Sequence, residues 1–194
     1  MPGWEKRFQG RGTNLEKLLD RFVDELEKSG FKVKVNRKKM SLEATSESHV
    51  DKSWGQVVNS GEPNNFALRI DWDADLRKLF WVKLAVKSLS FVRDLSVVPS
   101  EGERVSWSPS EEVTGKATME VPPELFELKK KVETELEGRR SILLAQADML
   151  EKEGKAEEAA DLYMKAAVIS RELEERVYAE QFERKVEELK KAKK

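Results

Sequence analysis

The 194-residue sequence contains no cysteine. Disulfides and thiolate metal sites are therefore excluded. His49 is the single histidine, and only Asp51 stands near it as a partner, so it reads as a surface loop residue. No G-x-x-x-x-G-K-[ST] phosphate loop, no G-x-G-x-x-G after a strand and no G-x-S-x-G elbow is present. No apolar run approaches the roughly 18 residues that mark a membrane-spanning helix. The N-terminal MPGWEKRFQGRG lacks the apolar core of a secretory signal, and the expected compartment is the cytoplasm. Asparagine and glutamine are scarce.

What is abundant is charge. Charged residues make up 38% of the chain and nearly cancel, leaving a net charge of −1. Dense Lys, Arg and Glu with few labile side chains resembles the composition of a thermophilic protein, in which ion-pair networks are favoured, although a long charged helix alone also raises the Glu and Lys count. The first 39 residues are net basic and the remainder net acidic, a mild asymmetry that does not demand nucleic acid.

Taken in order, residues 1–12 read as a flexible lead. Thr13-Asn14-Leu15-Glu16 has the form of a capping box. Leu15, Leu18, Leu19, Phe22, Val23 and Leu26 then form a helical stripe that Gly30 ends. Phe31, Val33 and Val35 alternate with lysines, and Met40, Leu42 and Ala44 alternate again, predicting two strands around a turn at 36–39. The polar stretch 45–65 reads as a long loop with one helical turn near Trp54. Phe66 to Trp72 predicts a strand. Leu79–Val86 is assigned as a strand over a helix, and Phe91–Val98 as more sheet. Val105 with Trp107, and Ala117, Met119 and Val121, predict two last strands. Trp54, Trp72, Trp81 and Trp107 are expected in the core. Pro122-Pro123 marks a boundary, because proline suits the first turn of a helix. From there the chain reads as helix, interrupted at Gly138 and Gly154. The expected architecture is α+β: a mainly antiparallel sheet with an N-terminal helix over residues 1–121, then a helical hairpin or three-helix unit over 122–194.

The stretch from Arg139 to Ala166 organises the C-terminal third. Leu143, Ala147 and Leu150 recur at helical spacing before Gly154, and Ala156, Ala159, Ala160, Tyr163, Ala166, Ala167 and Ile169 follow it. Small alanines let two helix axes approach closely. This stretch resembles the helical hairpin of a tetratricopeptide (TPR) repeat, through Gly154 in the turn and Ala159, Tyr163 and Ala166 beyond it. Gln146 departs from the usual Leu, and Arg171 stands where a closing Pro is expected. The resemblance covers about a sixth of the chain, as one period of roughly 34 residues, and no second copy follows. With one further helix, the arrangement is also similar to the three-helix MIT domain, through Ala160, Leu162, Tyr163 and Ala166. Both resemblances imply a groove for a partner peptide or helix, with Tyr163, Ile169 and Tyr178 as the candidate contacts. The bland reading, an ordinary hairpin packed for its own sake, carries equal weight.

Other candidates are weaker. Asp71-Trp72-Asp73-Ala74-Asp75 has the spacing that opens an EF-hand loop, but Leu76 replaces the turn glycine and Val82 the bidentate Glu. It reads as a hairpin turn with solvated aspartates. Lys32, Lys34, Arg37, Lys38 and Lys39 form a basic strand and turn suited to phosphate. Trp4 and Phe8, among Lys6, Arg7 and Arg11, offer a stacking platform for a single strand. The reading that leads is a non-catalytic cytosolic protein-binding or adaptor protein that needs no cofactor. A nucleic-acid-binding module, and a small-ligand protein or enzyme with a pocket in the sheet domain, stand as alternatives.

Overall fold

The computed structural model describes residues 2–9, 14–60, 65–94 and 121–191. Among the described residues, ten elements follow one another: β1 (Gly3–Gln9), α1 (Leu15–Lys28), β2 (Lys32–Asn36), β3 (Ser41–Glu47), β4 (Lys52–Asn59), β5 (Asn65–Ala74), α2 (Lys78–Asp94), α3 (Pro123–Lys152), α4 (Ala156–Glu172) and α5 (Arg176–Lys191). The class is α+β, with one five-stranded antiparallel sheet and three C-terminal helices. Contacts divide the chain into two compact units, each discontinuous in sequence. A sheet unit comprises Met1–Ser46, Ser53–Asp73 and Lys83–Leu125, and a helical unit comprises Glu47–Lys52, Ala74–Val82 and Phe126–Lys194.

In the sheet unit the strand order is β1-β5-β4-β3-β2. β1 is not a flexible lead but an edge strand, pairing Trp4 with Ile70 and Phe8 with Phe66. Its alternation turns Trp4, Lys6 and Phe8 to one side and Glu5 and Arg7 to the other. Phe8 is buried and its ring stacks on Phe66 at 4.9 Å. Within the expected long loop over 45–65, residues 45–47 end β3 and residues 52–59 form β4, while 61–64 lie outside the described residues. β4 turns Ser53, Gly55 and Val57 inward, so its buried residues are mostly small or polar and the apolar alternation is muted.

α1 forms as expected, and Thr13 lies outside the described residues. Asn14 is the N-cap and accepts the Lys17 N–H at 3.0 Å. Ser29 caps the other end, and Gly30 takes φ +84°, a conformation that glycine adopts without Cβ strain. Leu18, Leu19, Phe22 and Leu26 are buried.

Residues 79–86 are helix, not strand, and 91–94 complete α2. Leu79, Trp81, Val82, Leu84, Ala85, Leu89 and Val92 are all buried. A segment apolar on most sides loses the periodicity that separates helix from strand. Within the sheet unit, Phe22 of α1 meets Phe91 edge-on at 5.3 Å, and Lys87 pairs with Glu25 at 2.6 Å. The strand expected at 105–107, the continuation over 95–98, Trp107, and residues 117–120 of the last expected strand lie outside the described residues, and Val121, the end of that last strand, is exposed and in no element.

Pro123 opens α3 as expected, but Gly138 does not interrupt that helix. Gly154, at φ +77°, does separate α3 from α4. Glu174, at φ +65°, lies in the turn between α4 and α5. The first turn of α2 carries no acidic residue. Glu172, at the end of α4, supplies the missing carboxylate: it accepts the Phe80 N–H at 2.7 Å and pairs with Arg77 at 3.4 Å. A carboxylate at a helix N-terminus satisfies a free N–H and opposes the positive end of the dipole. Arg139 of α3 clasps Asp75, and Lys78 reaches Glu135 at 2.5 Å. Among the described residues no helix is long and apolar enough to cross a membrane.

Candidate functional site

The helical unit is built on small residues. Ala147 of α3, Ala159, Ala160 and Tyr163 of α4, and Val186 and Leu189 of α5 form one buried cluster. Leu144, Leu150, Leu162 and Phe182 pack around it, half-buried. Ala166, Ala167 and Ile169 are buried further along α4. This packing accounts for two of the three candidate contact residues. Ile169 is wholly buried, and so is the body of Tyr163. The Tyr163 hydroxyl donates to Asp148 at 2.5 Å and lies 3.2 Å from Glu151. Burial raises its pKa well above the ordinary tyrosine value, and the two carboxylates add to the shift. Glu151 also binds Lys185 of α5 at 2.7 Å. Tyr163 thus joins α3 to α4, with its ring buried and its hydroxyl engaged.

Tyr178 is different. It lies in the first turn of α5 and is 52% exposed. The Arg140 guanidinium of α3 stands 5.7 Å from its ring centroid. Arg140 is itself held by Ser170 and Glu175. Val177, beside Tyr178, is exposed as well. Arg140–Tyr178 near one end and Glu151–Lys185 near the other place α3 and α5 side by side, with Tyr178 at the margin of the seam. Sequence reasoning named Tyr178 but not its cation. It also missed Phe126, Ile142 and Met149 of α3, all large and exposed. The available signal was phase. Val132, Leu136, Leu143 and Ala147 keep one helical phase, and Ile142 and Met149 fall outside it.

The remaining candidates are spread elsewhere. Lys32, Lys34, Arg37, Lys38 and Lys39 are all exposed, on β2 and the turn after it. β2 is a sheet edge, where lysines discourage pairing with another chain. Lys34 stands opposite Glu43, and Arg37 donates to Asp20 at 2.9 Å. The expected aromatic platform is not assembled: Phe8 is core, Trp4 is half-buried, and Arg11 lies outside the described residues. Lys6 has a lowered pKa, chiefly through burial.

The aspartates at 71–75 are not a hairpin turn. Asp71 is buried in β5, where Gln56 donates to it at 3.0 Å and Arg69 pairs with it at 2.8 Å. Among the described residues no group of three or more His, Asp or Glu is placed to hold a metal. His49 is exposed and lies 3.6 Å from Asp161. Trp72 and Trp81 are core residues as expected, and Trp54 is half-buried.

In the sheet unit a recess runs between α1 and the strands, lined by Leu15, Leu18, Phe22, Val57, Phe66 and Leu68, with Asn59 as a polar member. It presents no acid–base pair. In the helical unit, Asp51 is a buried acid in the β3–β4 turn, and neither carboxylate oxygen has a hydrogen bond of good geometry. Burial raises its pKa, and the Leu76 amide, Arg77 and Arg139 only partly offset this. Compared with known proteins, the chain matches no protein family, no curated protein and no solved structure.

Proposed function

We propose that the chain is a non-catalytic protein-binding or adaptor protein whose helical unit receives a partner helix or peptide along the α3–α5 seam. The observation that carries this reading is Tyr178, a large ring left half open to solvent beside the Arg140 guanidinium, whereas Tyr163 of the same unit is buried. Tyrosine and arginine are both among the residue types enriched where interfaces concentrate their binding energy. The resemblance of the Gly154 turn and the α4 alanines to a TPR hairpin supports the same reading. Tyr163 and Ile169 then serve as scaffold, and Tyr178 serves as the anchor, flanked by Val177 and Arg140.

The test compares the intact chain with Tyr178→Ser and Tyr163→Ser in capture from native cytosol. Tyr178→Ser should lose bound protein by about tenfold or more while its melting temperature stays within about 2 °C of the parent. Tyr163→Ser should lower the melting temperature, because it empties a core position. Undiminished capture by Tyr178→Ser, or equal destabilisation by the two variants, would remove the basis for this reading.

A further inference from the structure

We infer that α3 carries a second surface, on which another copy of this chain docks antiparallel. Gly138, Ile142, Ala145 and Met149 are spaced by four, three and four residues. At about 100° per residue they fall on one side of the helix, away from the phase of Leu136, Leu143 and Ala147. All four are exposed, Ile142 and Met149 by 61% and 62%. Gly138 adds a separate observation. Glycine inside a helix is destabilising and is kept where φ is positive or where another group approaches closely. Gly138 is not among the positive-φ glycines, and a Cβ built on it meets nothing within 4 Å. Nothing within the described chain accounts for the missing side chain. A helix arriving from outside would.

The stripe is complementary to itself in one orientation. Laid antiparallel about the point between Ile142 and Ala145, two copies set Met149 against Gly138 and Ile142 against Ala145. Every large residue meets a small one, and the two-fold axis repeats each pair. The next positions outward set Lys152 against Glu135, and both are exposed. Glu135 already accepts Lys78, and a carboxylate has acceptor capacity for a second cation. A parallel arrangement would instead oppose Glu135 to Glu135 and Lys152 to Lys152. Charge therefore selects the antiparallel pair. The stripe is about 17 Å long at 1.5 Å per residue, so the dimer is reversible. It leaves the Tyr178 seam free, since Arg140 and Ile142 are two residues apart and point in nearly opposite directions.

Sedimentation equilibrium of the full chain, from about 1 μM to about 500 μM, should show a monomer–dimer equilibrium. Met149→Glu and Ile142→Glu should each be monomeric throughout, with unchanged melting temperature. Lys152→Glu alone, and Glu135→Lys alone, should each weaken the dimer about tenfold or more, and the double variant should restore it. A parent that is monomeric at every concentration would overturn the inference. So would a dimer indifferent to Met149→Glu, or a double variant with no recovery over the singles.

Discussion

Tyr163 and Tyr178, the two tyrosines of the chain, show how burial divides one residue type between two roles. In Tyr163 the ring fills the core and the hydroxyl ties α3 to α4 through Asp148 and Glu151. In Tyr178 the ring is half open and faces a guanidinium. Asp51 offers a second test at this scale. Burial raises its pKa, so the folded chain binds that proton more tightly than the unfolded chain does. The resulting stabilisation is complete below the unfolded value and is lost as pH rises through the folded one. Asp75, Arg77 and Arg139 share its surroundings, and two of those charges oppose the shift. Asp51→Asn keeps an uncharged side chain at every pH. Its stability relative to the parent should therefore rise from acid toward neutral pH and then level off. Urea denaturation at steps from about pH 4 to pH 8 would show this, and a constant difference would count against the raised pKa.

At the scale of elements, close approach through alanine is the feature with the clearest energetic consequence. Ala159 and Ala166 have no exposed surface. Overpacking a buried position costs about 1–3 kcal/mol. Ala159→Leu and Ala166→Leu should each lower stability by that amount in denaturant titration, and a loss below about 0.5 kcal/mol for both would mean that the helices part easily. α2 makes a complementary point. Its first turn has no acid of its own, and Glu172 provides one from α4, 92 residues away in sequence. Such a cap is invisible to a reading that searches within three or four residues of a helix start.

At the scale of the molecule, the helical unit includes two segments that precede Pro122. Glu47–Lys52 and Ala74–Val82 belong to it by contact, and Leu76, Leu79 and Trp81 within the second segment are buried. A fragment of residues 1–121 keeps those segments and discards α3 to α5, the rest of their unit. It should therefore fold poorly, and a cooperative unfolding transition for the isolated fragment would show the helices to be an appendage. The many ion pairs, the absent cysteine and the scarce amides support a stable whole. We expect a thermal midpoint above about 65 °C by calorimetry, and a lower value would set aside the thermophilic reading.

Some of this was legible without a structure because the signal is local. Leu18, Phe22 and Leu26 fix one face of α1, Leu42 and Ala44 alternate in β3, and Pro123 and Gly154 punctuate the C-terminal helices through their own backbone limits. The fold class and the three-helix ending follow from such features. The rest depends on partners distant in sequence. β1 is a strand because β5, about 60 residues on, accepts its register, and its charged outer residues disguise it. β4 carries little apolar alternation because Ser53 and Gly55 occupy its inner face. Leu79–Val86 was ambiguous because a segment buried on most sides carries no period to read. The candidate site divides the same way. Sequence spacing selected Tyr163, Ile169 and Tyr178 together, since all three suit the same hairpin. Which of them meets solvent is a property of how α3, α4 and α5 close on one another, and only that closure left Tyr178 outside.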